Sequence, residues 1–204
     1  MTSRFSRQSI ASRLLQSINT RLYRLQLVSG VRRSIGDLIA MTSLPLPFLI
    51  AAALGSGMMA GLFCSFSGFI MQALSNIPGP NGIAAMQSIN RVIVKPAFLF
   101  VFLGTGVACA LAVGIGWQQL EKTALVWTVA GGTVYVLGSI VVTIAFNVPL
   151  NNRLAAVDSE SEEGAKVWET YLVIWVRWNH IRSIATIVST VSLIIAVLYA
   201  NGHA

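Results

Sequence analysis

PAFLFVFLGTGVACALAVGIGW (residues 96–117), QQLEK (118–122) and TALVWTVAGGTVYVLGSIVVTIAF (123–146) follow one another without a break. Two uncharged apolar runs thus flank a short polar connection. Each run exceeds the roughly 18 to 20 residues that an α-helix needs to cross the hydrocarbon core of a bilayer. Neither alternates apolar and polar residues, as a membrane β-strand would. Working outward, two further runs appear at Leu46–Ile70 and Ile181–Tyr199. Trimmed to their centres, none of the four carries Asp, Glu, Lys or Arg. The whole chain is 55% hydrophobic and only 10% charged, far from the roughly 25% charged content of soluble domains, and its mean hydropathy is +0.72. These features predict an all-α membrane protein, a bundle of four transmembrane helices, with the lipid bilayer as its first partner. Residues 44–204 form this domain.

Residues 1–43 differ in kind. Seven arginines (Arg4, Arg7, Arg13, Arg21, Arg24, Arg32, Arg33) face one acid, Asp37, so this segment holds +6 of the net +7. Three readings fit: a basic arm lying on anionic lipid, a targeting segment rich in Arg and Ser, or a true start at Met41. Nothing aromatic or groove-reading accompanies the charge, so nucleic acid is not an expected partner. Orientation depends on the choice. The tail side carries the seven arginines and Lys122, the other side Arg91, Lys95, Arg153, Lys166 and Arg177; a start at Met41 reverses the positive-inside count.

Several chemistries lack their residues. Cys64 and Cys109 lie in different spans without neighbouring histidines, which suits packing rather than a disulfide or a metal site. His180 and His203 are the only histidines. No cytochrome-type attachment motif occurs, and no carboxylate sits at a span centre to relay protons. No metal or other cofactor is expected. Small residues recur at Gly57, Gly61 and Ser65 and at Gly106, Ala110 and Gly114, a spacing that predicts close helix seams, read here as internal to the bundle.

Polar groups concentrate instead at one end of the expected bundle. Trp178-Asn179-His180-Ile181-Arg182 runs directly into the last span, and Asn147-Val148-Pro149-Leu150-Asn151 closes the third. Gln87, Asn90 and Arg91 share one face of a short helix between the first two spans. Ionisable groups are costly in hydrocarbon and tend to face a protein interior or a site. Trp168, Tyr171, Trp175 and Trp178 form an aromatic stripe. It reads either as an interfacial belt or, at Trp175 and Trp178, as the wall of a pocket for a flat aromatic or quinone-like ligand.

The stretches Ala84–Arg91, Asn147–Asn151 and Trp178–Arg182 together resemble the anthrone oxygenase-like family of small four-span membrane proteins, over residues 46–199. The resemblance implies a four-helix membrane fold and, for some members, cofactor-independent oxygenation of an anthrone or related hydroquinone-type aromatic by dioxygen. Such chemistry needs a base, donors for a developing oxyanion and a dry cavity. His180 is the histidine placed to be the base; Arg182, Asn147, Asn151 and Asn179 would stabilise the enolate oxygen; Trp175 or Trp178 would stack on the rings, and Gln87, Asn90 and Arg91 would border the substrate. On a helix, however, His180 projects about 100° from Asn179, so the two cannot face one cavity squarely. A noncatalytic membrane subunit and a quinone-binding carrier remain open alternatives.

Overall fold

The computed structural model describes residues 44–201. The basic arm or targeting segment, and with it the orientation argument, lies outside the described residues. Proline opens the first helix, α1 (Pro45–Ser75), and the third, α3 (Pro96–Gln119), where its missing N–H costs nothing. Between them lies the short α2 (Gly79–Ile93). Leu120 and Glu121 adopt extended conformations and turn the chain into α4 (Lys122–Ala155). Ser161 caps α5 (Glu162–Asn201), its Oγ accepting a 2.9 Å bond from the Gly164 N–H, while Glu162 and Glu163 complement the helix dipole in the first turn.

α1, α3, α4 and α5 are each long and apolar enough to cross a membrane. They form a closed ring in which α5 packs on α1 and α4, and α3 completes the circuit. Among the described residues every regular element is helical. The predicted four-helix membrane bundle is thus the observed fold, and the chain is a multi-pass integral membrane protein. α5 has 40 residues, about 60 Å of helix at 1.5 Å per residue, roughly twice the thickness of a hydrocarbon core. The span expected at Ile181–Tyr199 is therefore only the C-terminal half of one unbroken helix.

Two apolar cores follow one another along the bundle. One gathers Leu49, Phe63, Phe102, Tyr135 and Leu193. The other gathers Phe66, Ile83, Met86, Leu154, Trp168, Tyr171 and Trp175, and here α2 packs against α5 and the end of α4. Between them the helices loosen. α1 contains a π-helical turn at Phe66–Ile70, and α4 contains two, at Val136–Val141 and Thr143–Asn147. A proline inside a helix removes one backbone bond and crowds the carbonyl four residues earlier. Pro149 therefore accounts for the widened turn at Thr143–Asn147.

Of the predicted small-residue seams, the tight approach is at Gly106, buried on α3, where a Cβ would come to 2.8 Å from Ile140 Cδ1 of α4. The buried face of α1 runs through Leu49, Ala52, Ser56, Met59 and Phe63, and Gly57 and Gly61 sit one position off it, about 100° around the helix. A Cβ on Gly61 or Gly114 would meet nothing within 4 Å. Two further close approaches were not predicted. Gly138 of α4 abuts the Ala185 side chain of α5, and a Cβ on Gly131 would come to 2.9 Å from Leu193 Cγ. Gly138→Leu should therefore lower stability by about 1–3 kcal/mol through overpacking, whereas Gly61→Leu should change it little. The unfolding midpoints of both variants in detergent micelles check this.

Candidate functional site

A polar layer separates the two cores at the middle of α5. Arg182 is only 6% exposed. Its Nη2 donates to Asn179 Oδ1 at 2.6 Å and its Nη1 to Thr143 Oγ1 at 3.2 Å. The guanidinium carbon lies 4.3 Å from the Phe63 ring centroid and 5.2 Å from that of Trp175, so the cation is held partly by π faces. Asn179, fully buried, donates through Nδ2 to the Phe63 carbonyl (2.8 Å) and to Ser67 Oγ (2.7 Å). These bonds fix its amide: only the NH₂ end can face a carbonyl, so the oxygen must face Arg182. Ser67 Oγ lies 3.2 Å from Ser183 Oγ. α1, α4 and α5 thus each contribute to one layer, and Ser67 and Thr143 both sit in π-helical turns.

No described carboxylate is buried beside Arg182 to offset its charge. All described Asp and Glu residues and His180 are exposed. A guanidinium stays protonated in proteins, and an isolated buried ion costs several kcal/mol. Here only an amide oxygen, a hydroxyl and two aromatic faces offset that cost. Arg182 Nε has no hydrogen-bond partner. Asn147 has a matching defect: its Nδ2 donates to the Trp175 carbonyl at 3.3 Å, while its buried Oδ1 accepts nothing.

A second network lies against the layer, in the α2-side core. Asn151 Oδ1 accepts from Tyr171 Oη (2.7 Å) and from Trp175 Nε1 (2.8 Å). Asn90 Nδ2 donates to Tyr171 Oη at 3.4 Å. The rings of Trp168, Tyr171 and Trp175 stack in succession, with centroids 5.8 and 5.4 Å apart, and Phe66 meets Trp175 edge-on. Gln87 donates to the carbonyls of Leu154 and Val157 at 2.9 and 3.0 Å, closing the C-terminal end of α4.

The sequence-predicted residues therefore divide. Asn179, Arg182, Asn147 and Trp175 come together in the layer. Asn151 and Asn90 join the adjoining aromatic network, and Gln87 ties α2 to α4. Arg91 is exposed and joins neither. His180 faces outward from α5, away from Arg182. Trp178 is half-buried and stacks on Phe146 at 3.6 Å, so it does not share a wall with Trp175. Trp168, Tyr171 and Trp175 are buried, which replaces the expected interfacial belt with a packed core. Both donors of the Asn179 amide are committed and Asn147 Nδ2 makes one bond, while the nitrogen of the layer with no partner at all is Arg182 Nε. Phe63, Ser67 and Thr143 were not anticipated. Their only sequence signal was position, with Thr143 four residues before Asn147 and Ser67 four after Phe63.

Fold and layer define a four-helix integral membrane protein with a buried arginine at the junction of two apolar cores, paired with no carboxylate among the described residues. The family model described as Anthrone oxygenase matches residues 86–192, just over half of the chain, and the chain belongs to that family. Searches of curated proteins and of solved structures returned no match.

Proposed function

We propose that the chain is a cofactor-independent oxygenase of an anthrone or related hydroquinone-type aromatic. The single observation that carries this reading is Arg182: a buried guanidinium with no counter-ion among the described residues and with its Nε unpartnered. Such a group favours a ligand oxygen that becomes anionic. An anthrone has an acidic C–H whose loss gives a delocalised enolate, and the guanidinium stabilises that enolate oxygen. The enolate passes one electron to dioxygen, and the resulting carbon radical and superoxide combine to a peroxide at the former C–H carbon. Loss of the second hydrogen on that carbon and cleavage of the O–O bond leave a carbonyl. In total, one anthrone and one dioxygen give one quinone and one water. Asn179 and Thr143 act as positioning residues that hold the guanidinium.

His180 has no part in this scheme. The C–H proton passes to water as the substrate ionises, an equilibrium that Arg182 biases toward the anion, and a proton returns to the hydroxide released when the O–O bond breaks. His180→Ala should leave turnover unchanged within about twofold, because an exposed side chain contributes no proton transfer in the layer. Dioxygen uptake by the purified protein with a panel of anthrones and hydroquinones tests the reading. Uptake no faster than the spontaneous rate across the panel would reject it, and a loss of about a hundredfold in His180→Ala would return that residue to the role of base.

One feature favours a second reading, a noncatalytic membrane subunit. Ala110 and Gly114 face outward and border an apolar groove of about 460 Å³ between α3 and α4, with Cys109 and Gly132 also lining it. Bulky residues at Ala110 and Gly114 would abolish a subunit contact while leaving oxygen uptake intact.

A further inference from the structure

The layer leaves two fixed polar atoms unused, and they are of opposite kind. Arg182 Nε–H can only donate, and Asn147 Oδ1 can only accept. Ser139 and Ser189 hydroxyls are also buried and unpaired, but a neutral hydroxyl is far cheaper to bury than a guanidinium N–H. Asn147 cannot relieve its defect by turning over, because its NH₂ end is held by the Trp175 carbonyl. Both free atoms belong to one assembly: Arg182 bonds Thr143, Asn147 follows four residues later in the same π-helical turn, and both side chains touch Trp175. Thr143, which holds the guanidinium, and Asn147 are thus about one turn apart on α4, and one helical turn rises about 5.4 Å.

We infer that the layer holds its ligand at two points, an anionic oxygen on Arg182 Nε and a remaining hydroxyl on Asn147 Oδ1, and so selects hydroxyaryl monoanions that keep one O–H across the ring. The inference rests on the oxyanion reading for the place of the ligand and adds its second anchor. A neutral quinone satisfies neither point fully, since it brings no charge and no donor. A simple phenolate satisfies Arg182 alone. A monoanion of a dihydroxyaryl compound satisfies both, and its ring suits the aromatic walls made by Phe63 and Trp175. Asn147 is then the residue that sets specificity, while Arg182 sets the ionisation state of what binds.

Probes that cannot be oxygenated separate this inference from the oxygenase reading. 1,4-Dihydroxyanthraquinone, its monomethyl ether and its dimethyl ether present two, one and no ionisable hydroxyls on one ring system, and their absorption moves to the red on ionisation. The purified protein should bind the dihydroxy compound with a red-shifted spectrum. The monomethyl ether should bind about tenfold more weakly, the effect of one lost hydrogen bond, still red-shifted, and the dimethyl ether should bind more weakly again with no shift. Asn147→Leu should abolish the preference for dihydroxy over monomethyl and keep the red shift; Arg182→Gln should lose the shift. Equal binding of the dihydroxy and monomethyl compounds to the native protein, or no binding of any, would overturn the inference, and that comparison needs no variant to fold. If the binding pattern holds while no anthrone is oxygenated, the oxygenase reading fails and the two-point site stands.

Discussion

Asn179→Leu should destabilise the bundle by about 3–5 kcal/mol, whereas Arg182→Met should leave its stability within about 2 kcal/mol of the native protein. The contrast follows from which group each change strands. Without Asn179, the buried guanidinium loses its shortest hydrogen bond, 2.6 Å, and no carboxylate replaces it. Breaking a buried charged contact from one side costs about this much, because the charge remains. Without Arg182, the charge itself is gone. Replacing a buried ion by an apolar side chain of similar size is often neutral or stabilising by about 1–4 kcal/mol, which offsets the roughly 1–3 kcal/mol of leaving Asn179 Oδ1 unpaired. The double variant should be more stable than Asn179→Leu alone, since the two residues form one unit. Unfolding midpoints of the three proteins in the same detergent measure this. Equal losses for both single changes would mean that Arg182 is retained for stability rather than for a ligand.

Arg182→Lys should lower anthrone turnover by about 10²–10³-fold while preserving the positive charge. The guanidinium meets Asn179 through one terminal nitrogen and Thr143 through the other, and so aims its Nε–H. A single ammonium cannot bond both residues and present a donor in the same place. The loss expected is that of one oriented oxyanion donor. It should fall on kcat more than on KM, because charge attraction to the ligand persists while orientation toward the developing oxyanion does not. Steady-state oxygen uptake against anthrone concentration separates the two parameters. Retention of native kcat by the lysine variant would reduce the role of Arg182 to bulk charge.

The four spans were legible because hydropathy and length act locally. Residues 96–117 and 123–146 cannot be anything but buried in lipid or protein along their whole course. The extent of α5 was not legible from hydropathy, because Arg177 and Arg182 interrupt the apolar run while leaving the helical hydrogen bonds untouched. The polar members of the site were largely readable, since Asn147, Asn179 and Arg182 are expensive in such surroundings. Their placement was read less well. The cluster is enclosed between two cores and is not a vestibule, because α5 continues for about five turns before Arg182 and those turns pack against α2 and the end of α4. Phe63, Ser67 and Thr143 escaped notice because hydroxyls and aromatics are ordinary in membrane helices; only the π-helical turns, one of them set by Pro149, bring Ser67 and Thr143 to face α5. The outward position of His180 was foreseeable from 100° per residue alone.

The central claim is that the unpaired charge of Arg182 is there for an oxyanion. The most direct test is dioxygen uptake with an anthrone, measured side by side for the native protein and Arg182→Met at matched concentration, with both shown folded by their unfolding midpoints. The native protein should exceed the spontaneous rate, and the folded Arg182→Met protein should fall to it. Uptake by Arg182→Met equal to that of the native protein would contradict the claim.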